Sequence, residues 1–330
     1  MKLSNYLHKA PWFLPVRIVL SIIYGVLIWI RNRAYDLGLF KTYRVKTPVI
    51  SVGNLSTGGS GKTILVQALI QHFLSMNKKP AVLSRGYGRS SKGLVVVADG
   101  NGFVGTLTDS GDEPFLITEN YDDIPVVVSE NRVDGARYIE NTFDPDVIIL
   151  DDGFQHRRLH RDLDILIVDF QYSPKPHLLP WGYLRENVQN ISRADLVVYS
   201  KSGLQKDPVN NLVFDINNYV QNHHKKRIDL SRLKGTFGLF AGLGNPCHFF
   251  EQMEACHRSA QVKISFPDHA IYTSSQLDEI KDNFCDYWIT TQKDFIKLDP
   301  AFCEKFNICY IGVKTHLPTP LLTHLKQHFN

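Results

Sequence analysis

The chain has 330 residues, 43% hydrophobic and 21% charged, with 22 glycines and 16 prolines; that is the make-up of a globular protein with room for two packed cores. A mean hydropathy of -0.17 excludes a multi-span membrane protein, and the composition excludes disorder, collagen and coiled coil. With 37 basic and 33 acidic residues the net charge is +4, too little to argue for nucleic acid but compatible with an anionic partner or membrane surface.

The first element is an apolar run, Ile18 to Ile30 (IVLSIIYGVLIWI), 13 residues without a charge between Arg17 and the pair Arg31 and Arg33. A helix of that length spans about 20 Å, short of the roughly 30 Å hydrocarbon thickness. It is therefore expected to lie in the membrane interface, with Trp12, Tyr24 and Trp29 at headgroup level and the arginines on anionic lipid. No small-residue cleavage site follows, which argues against a signal peptide. A buried first helix is the alternative.

From Pro48 onward, apolar runs alternate with turns and helical patterns: VISVGN, TILVQALIQHFLSM, PAVLSRG, VVVADGNG, IPVVVSE, DVIILDDG, DILIVD and DLVVYSK. Near-continuous Val/Ile/Leu runs between helices predict an α/β protein with a mainly parallel sheet and helices on both faces. The polar stretch 204–234 predicts a linker or extended ribbon. After it, FGLFAGLGNPCHFFEQM, YWITT and ICYIGV repeat the scheme in a second, smaller α/β lobe. The expected segments are thus a helix at 1–33, a P-loop core at 34–203, the linker at 204–234 and the second lobe at 235–330. The five cysteines, Cys247, Cys256, Cys285, Cys303 and Cys309, form no CxxC pair or zinc frame and read as reduced cytosolic thiols.

Three motifs carry chemistry. In VISVGNLSTGGSGKT, a strand leads into the glycine-rich loop Ser56, Thr57, Gly58, Gly59, Ser60, Gly61, and a helix follows. Such a loop lets the backbone approach phosphates at a helix N-terminus, Lys62 reaches the β- and γ-phosphates, and the Thr63 hydroxyl can hold Mg²⁺. Ser56 stands where the P-loop pattern has glycine. In DVIILDDGFQHRRLHRD, a buried strand delivers Asp151 and Asp152 to the ligand-binding end of the sheet, as Mg²⁺ ligands or as helix caps. Gly111-Asp112-Glu113-Pro114 is a solvated turn or, in phosphoryl transfer to an alcohol, a source of a proton acceptor and a metal ligand. Arg85, Arg132, Arg157, Arg158, Arg161 and Arg185 follow strand ends and are expected to line one phosphate-binding rim. His156 and His160 lack a third ligand, so no zinc site is expected there.

Together SVGNLSTGGSGKT, SRGYGR, GDEP, NRVDGAR, DDGFQHRRLHRD, LLPWGYLRE, FAGLGNPCHFF, FPDHAIYT and TTQKDFIKL resemble the tetraacyldisaccharide 4'-kinases over nearly the whole chain. The resemblance implies ATP-dependent phosphorylation of the 4'-hydroxyl of a tetraacylated glucosamine disaccharide 1-phosphate, giving lipid IVA, with ATP and Mg²⁺ as cofactors. It implies that Lys62 binds the ATP phosphates, that Thr63 and Glu113 hold Mg²⁺, and that Asp151 and Asp152 are the Walker B pair. Asp112 would accept the hydroxyl proton, paired with His269, while Arg132, Gln155, His156 and Arg185 would contact substrate or phosphate. The sequence departs from the family pattern at Ala270 and at Gln292, neither of which carries assigned chemistry. The implied setting is the cytoplasmic face of the inner membrane, as a peripheral protein on an anionic surface, with the lipid A precursor as partner and neither nucleic acid nor an obligate protein partner. A P-loop switch or assembly factor acting on a protein is the alternative function; the lack of an NKxD motif after DLVVYSK counts against its GTPase form.

Overall fold

The structure is a computed structural model that describes residues 14–169, 177–200 and 210–329. Trp12 and residues 204–209 of the polar stretch lie outside the described residues. Two compact units are discontinuous in sequence: one draws on Met1–Arg85, Val127–Val213 and Leu317–Asn330, the other on Gly86–Val126 and Phe214–His316. The GDEP segment, grouped by sequence order with the P-loop core, thus packs with the C-terminal residues.

In the first unit the strands Leu196–Ser200, Leu163–Asp169, Val49–Asn54, Val147–Asp151 and Pro80–Ser84 lie side by side in that order, all parallel. Val49–Asn54 and Val147–Asp151 are buried along their whole length, which explains why they read as unbroken apolar runs: helices cover both faces of a parallel sheet. The register sets Val52 opposite Asp151, so the loop after Asn54 and the carboxylates after Leu150 emerge at the same end of neighbouring strands. Helix Lys62–Ser75 returns from that end and buries Leu65, Val66, Leu69, Ile70 and Phe73, the i, i+3, i+4 stripe of an amphipathic helix.

The second unit has its own parallel strands in the order Val262–Ser265, Phe237–Ala241, Tyr287–Thr291 and Ile308–His316. One side of this sheet holds a cluster around Leu239, Phe250, Met253 and Ile289, the other a cluster around Phe240, Phe266, Ile280 and Trp288. The described part of the polar stretch is an antiparallel ribbon, Asn211–Gln221 against Arg227–Asp229. Burial raises the thiols of Cys303, to about 12, and Cys309, to about 11, which keeps them protonated and unreactive.

The N-terminal helix differs from the sequence expectation in length. It runs from Leu14 to Asp36, 23 residues, or about 34 Å at 1.5 Å per residue. Arg17, Arg31 and Arg33 are inside it rather than at its ends, because a charge does not stop a helix whose neighbours have good helix propensity. It is long and apolar enough to cross a membrane, and only 6% of its most apolar window is buried. The alternative of a buried first helix therefore fails. Val19, Ile22, Ile23, Val26, Leu27, Trp29 and Ile30 all face outward, at least half exposed.

Candidate active-site residues

In the first unit the loop between Asn54 and Lys62 is shaped by glycine at two points. Gly58 and Gly61 have φ of 112° and 90°, the left-handed region that a side chain disfavours. Gly61 is the N-cap of helix Lys62–Ser75, and no side chain caps that end. The first-turn N–H groups, with the positive end of the helix dipole, are left for an anion. The missing glycine at Ser56 has a local reason: Ser56 forms an antiparallel bridge to Leu184 and its φ is not positive, so no glycine is needed. The loop is also tied from inside. Asn54 Nδ2 donates to Ser60 Oγ at 2.9 Å, Ser200 Oγ donates to the Ser60 carbonyl at 2.8 Å, and Gln155 Nε2 donates to the Asn54 carbonyl at 2.8 Å.

Lys62, Asp152, Arg185, Arg132 and His156 form one electrostatic group. The side chain of Lys62 is only 9% exposed, and its Nζ lies 3.6 Å from Asp152 Oδ1; Arg185 Nη1 donates to both oxygens of Asp152 at 3.0 and 2.8 Å. Burial opposes ionisation of Asp152, yet Lys62 and Arg185 outweigh it and hold the carboxyl below its ordinary value. Asp152 takes a left-handed backbone, φ 54°, where aspartate is tolerated better than most residues. Asp151 is fully buried at the strand end, and Ser84 Oγ donates to its Oδ2 at 3.4 Å. Burial and the neighbouring Arg85 lower the Arg132 guanidinium to about 10, against the pull of Asp152 and Asp151. Burial first, then Arg132, Arg161, Arg158 and Arg85, push His156 down to about 4; at neutral pH it is an uncharged imidazole among arginines. Thr63 is the second residue of the helix, half-buried.

Three arginines expected on the phosphate rim serve the scaffold instead. Arg157 donates to the Asn32 carbonyl and pairs with Asp36 at 2.7 Å, Arg161 pairs with Asp164 at 2.7 Å, and Arg158 stacks on Tyr43. Each meets a nearby acceptor or ring first, which spacing after a strand cannot show. His156 and His160 form no metal group; among the described residues only His223, His224 and Glu304 bring three such ligand atoms close.

In the second unit the GDEP motif opens helix Asp112–Asn120, with Asp112 and Glu113 in its first turn. Gly111 precedes it at φ 86°, where a Cβ would stand 2.6 Å from the Tyr87 carbonyl oxygen, so glycine is required to deliver Asp112. Asp112 Oδ2 meets His269 Nδ1 at 2.9 Å and Lys297 Nζ at 2.7 Å. Lys293 Nζ lies 3.3 Å from His269 Nε2. An ammonium only donates, so Nε2 accepts and Nδ1–H is the donor to Asp112. Burial works to raise the Asp112 carboxyl, and the His269 and Lys297 bonds overcome it, bringing it down to about 2. The pairing of Asp112 with His269, 157 residues apart, was implied by motif; Lys297 and Lys293 were missed. Their signal was the i, i+4 pair of lysines in TTQKDFIKL, directly after a strand.

The model of the tetraacyldisaccharide-1-P 4'-kinase family (LpxK) matches residues 13–330. A tetraacyldisaccharide 4'-kinase of Chlorobium phaeovibrioides is 34% identical over 94% of this chain and 96% of its own. One from Halothermothrix orenii is 32% identical over 96% and 94%. The crystal structure of LpxK from Aquifex aeolicus in complex with ATP aligns with a TM-score of 0.80 and 32% identity, covering 100% of both chains.

Proposed function

The chain belongs to the tetraacyldisaccharide-1-P 4'-kinase family, and from that premise we propose how its residues divide the reaction. It is an ATP-dependent kinase of lipid A synthesis that phosphorylates the 4'-hydroxyl of tetraacylated glucosamine disaccharide 1-phosphate to give lipid IVA; the switch or assembly-factor alternative is not favoured. The loop Ser56–Gly61 and the uncapped helix start suit the polyphosphate of ATP, and the hard oxygens of Thr63, Asp151 and Asp152 suit Mg²⁺. When bound, Mg²⁺ neutralises charge on the phosphates undergoing transfer.

Lys62 places its ammonium on the β- and γ-phosphates. Arg185 and Lys62 hold Asp152 ionised and fixed in position, and Arg132, Gln155 and His156 orient phosphate or substrate around them. Glu113 keeps the metal-holding role that its motif implies. Asp112 is the proton acceptor for the sugar hydroxyl, and the observation that supports this most directly is its geometry: His269 Nδ1 at 2.9 Å and Lys297 Nζ at 2.7 Å both hold the carboxylate through Oδ2 at the start of its helix. Such a group is ionised at any physiological pH, free to accept a hydrogen bond from the hydroxyl and to take the proton as the oxygen gains the phosphoryl group. Lys293, donating to His269 Nε2, holds His269 in the tautomer whose Nδ1–H donates to Asp112.

The exposed apolar face of helix Leu14–Asp36 is read as the membrane contact, peripheral on the cytoplasmic side because Arg17, Ser21, Tyr24 and Asn32 bind the opposite face to residues 178–186, with the exposed Arg33 toward anionic headgroups. The test is transfer of label from γ-labelled ATP to the tetraacyl disaccharide 1-phosphate by purified protein with Mg²⁺. Label on the 4'-oxygen is the expected result; label recovered only as inorganic phosphate would contradict the reading.

A further inference from the structure

Residues 177–187 form a strap within the first unit that is bonded on one side to the N-terminal helix and on the other to the nucleotide loop. It is folded on itself: Leu184 N–H donates to the His177 carbonyl at 3.1 Å and Gly182 N–H to the Leu178 carbonyl at 2.9 Å. A Cβ on Gly182 would stand 2.2 Å from the His177 oxygen, so this close turn requires glycine there.

On the helix side, Ser21 Oγ donates to the Leu178 carbonyl at 2.8 Å and Tyr24 Oη to the Arg185 carbonyl at 2.8 Å. Gly25 lets the helix approach so closely that a Cβ there would meet Leu178 at 2.8 Å. The strongest tie is Glu186, with 0% of its side chain exposed. Arg31 reaches its Oε1 at 2.6 Å, while Asn32, at 3.0 Å, and Arg193, at 2.9 Å, reach its Oε2. A buried carboxylate survives only with its oxygens saturated in this way.

On the nucleotide side, Thr57 N–H donates to the Tyr183 carbonyl at 2.8 Å, Arg185 N–H donates to the Leu55 carbonyl at 2.6 Å, and the Arg185 guanidinium holds Asp152. Arg185 is therefore fixed at three points: its carbonyl by the helix, its N–H by the loop strand and its side chain by Asp152. We infer that Tyr24 and Glu186 are positioning residues for phosphoryl transfer, acting through Arg185 on the phosphate loop and Asp152, so that docking of the helix and shape of the nucleotide site are coupled. This rests on the assignment of the loop as the ATP site. Removing the helix is therefore expected to disturb the ATP site as well as to free the protein from membranes.

The test compares full-length Tyr24→Phe, Glu186→Gln and Lys62→Ala in detergent, reading Kd for ATP by calorimetry, KM for ATP against kcat, and Tm. Loss of one neutral hydrogen bond predicts a Kd about three- to tenfold weaker in Tyr24→Phe with Tm lowered by only about 2–4 °C, and a larger loss in Glu186→Gln. KM for ATP rises with Kd, while vesicle binding through the exposed apolar face is retained. Should Glu186→Gln fail to fold, Tyr24→Phe decides alone. Unchanged ATP affinity in Tyr24→Phe and Glu186→Gln, beside a lost one in Lys62→Ala, overturns the coupling only. Unchanged affinity in Lys62→Ala overturns the ATP-site assignment and the coupling with it.

Discussion

Replacing Lys297 by methionine removes the ammonium 2.7 Å from Asp112 Oδ2 while keeping most of the side-chain volume. In the folded protein the Asp112 carboxyl sits at about 2 against an ordinary 3.8, a gap of nearly two units, or roughly 2–3 kcal/mol at 1.4 kcal/mol per unit. The Asp112 side chain is 20% exposed, so solvent screens these interactions only in part. Burial by itself raises this carboxyl, and His269 and Lys297 share the opposing work. Lys297→Met is therefore expected to lift the carboxyl by about one unit or more, and to cost roughly 1–2 kcal/mol of stability at pH 7. The sign follows from linkage: a depressed carboxyl stabilises the fold above its unfolded value of 3.8, and that stabilisation fades as pH falls toward 2. The stability gap between parent and variant should thus be full at pH 5–7 and shrink between pH 4 and pH 2. Urea unfolding across that range reads the gap, and a ¹³C carboxyl titration, with Asp112 assigned by comparison with Asp112→Asn, reads the ionisation itself. A titration midpoint left near 2 in Lys297→Met, with a gap constant in pH, would refute the electrostatic role of Lys297 and leave packing of its stem as its whole contribution.

Three further outcomes follow from the same structure. Gly61→Ala places a Cβ at φ 90°, at a cost of about 1–2 kcal/mol, and should weaken ATP binding more than it lowers Tm; equal ATP affinity would show that the loop does not need this backbone. Ile22→Ser with Leu27→Ser removes two side chains that are each 60% exposed, worth about 1–2 kcal/mol apiece in an apolar phase, so binding to anionic vesicles should drop at least about tenfold, and undiminished sedimentation would remove the helix face from the membrane contact. The His156 ring, lowered to about 4, should titrate near that value by NMR, and a midpoint near 6.5 would contradict its burial among arginines.

The two units were legible to different degrees. In the first, the strands Val49–Asn54 and Val147–Asp151 and the glycine loop were visible because burial on both faces writes an unbroken apolar run, and because a phosphate loop fixes residue types at short range. Hidden were the partners of the arginines. Arg157 and Arg161 look in sequence like Arg185, yet only Arg185 of the three reaches Asp152, 33 residues away, while Arg157 meets Asp36 across 121 residues and Arg161 meets Asp164 three residues on. Glu186, an unremarked acidic residue next to a basic one, turns out fully buried, and no local pattern distinguishes it from a solvated glutamate. In the second unit the meeting of Asp112, His269 and Lys297 is wholly non-local; two of the three were found by motif, and Lys297 sits in a segment whose lysines are ordinary by composition. The N-terminal helix was recognised by its apolar run but underestimated in length, because the helix ignores the charges that end the run.

The central claim, that Lys62 serves the nucleotide while Asp112 serves the sugar hydroxyl, is tested most directly by measuring ATP affinity and phosphoryl transfer side by side in Lys62→Ala and Asp112→Asn. The account predicts that Lys62→Ala loses ATP affinity and turnover together, whereas Asp112→Asn binds ATP as the parent does and transfers phosphate about 10²–10⁴-fold more slowly, the usual range for a lost general base. Transfer by Asp112→Asn at the parent rate would contradict it.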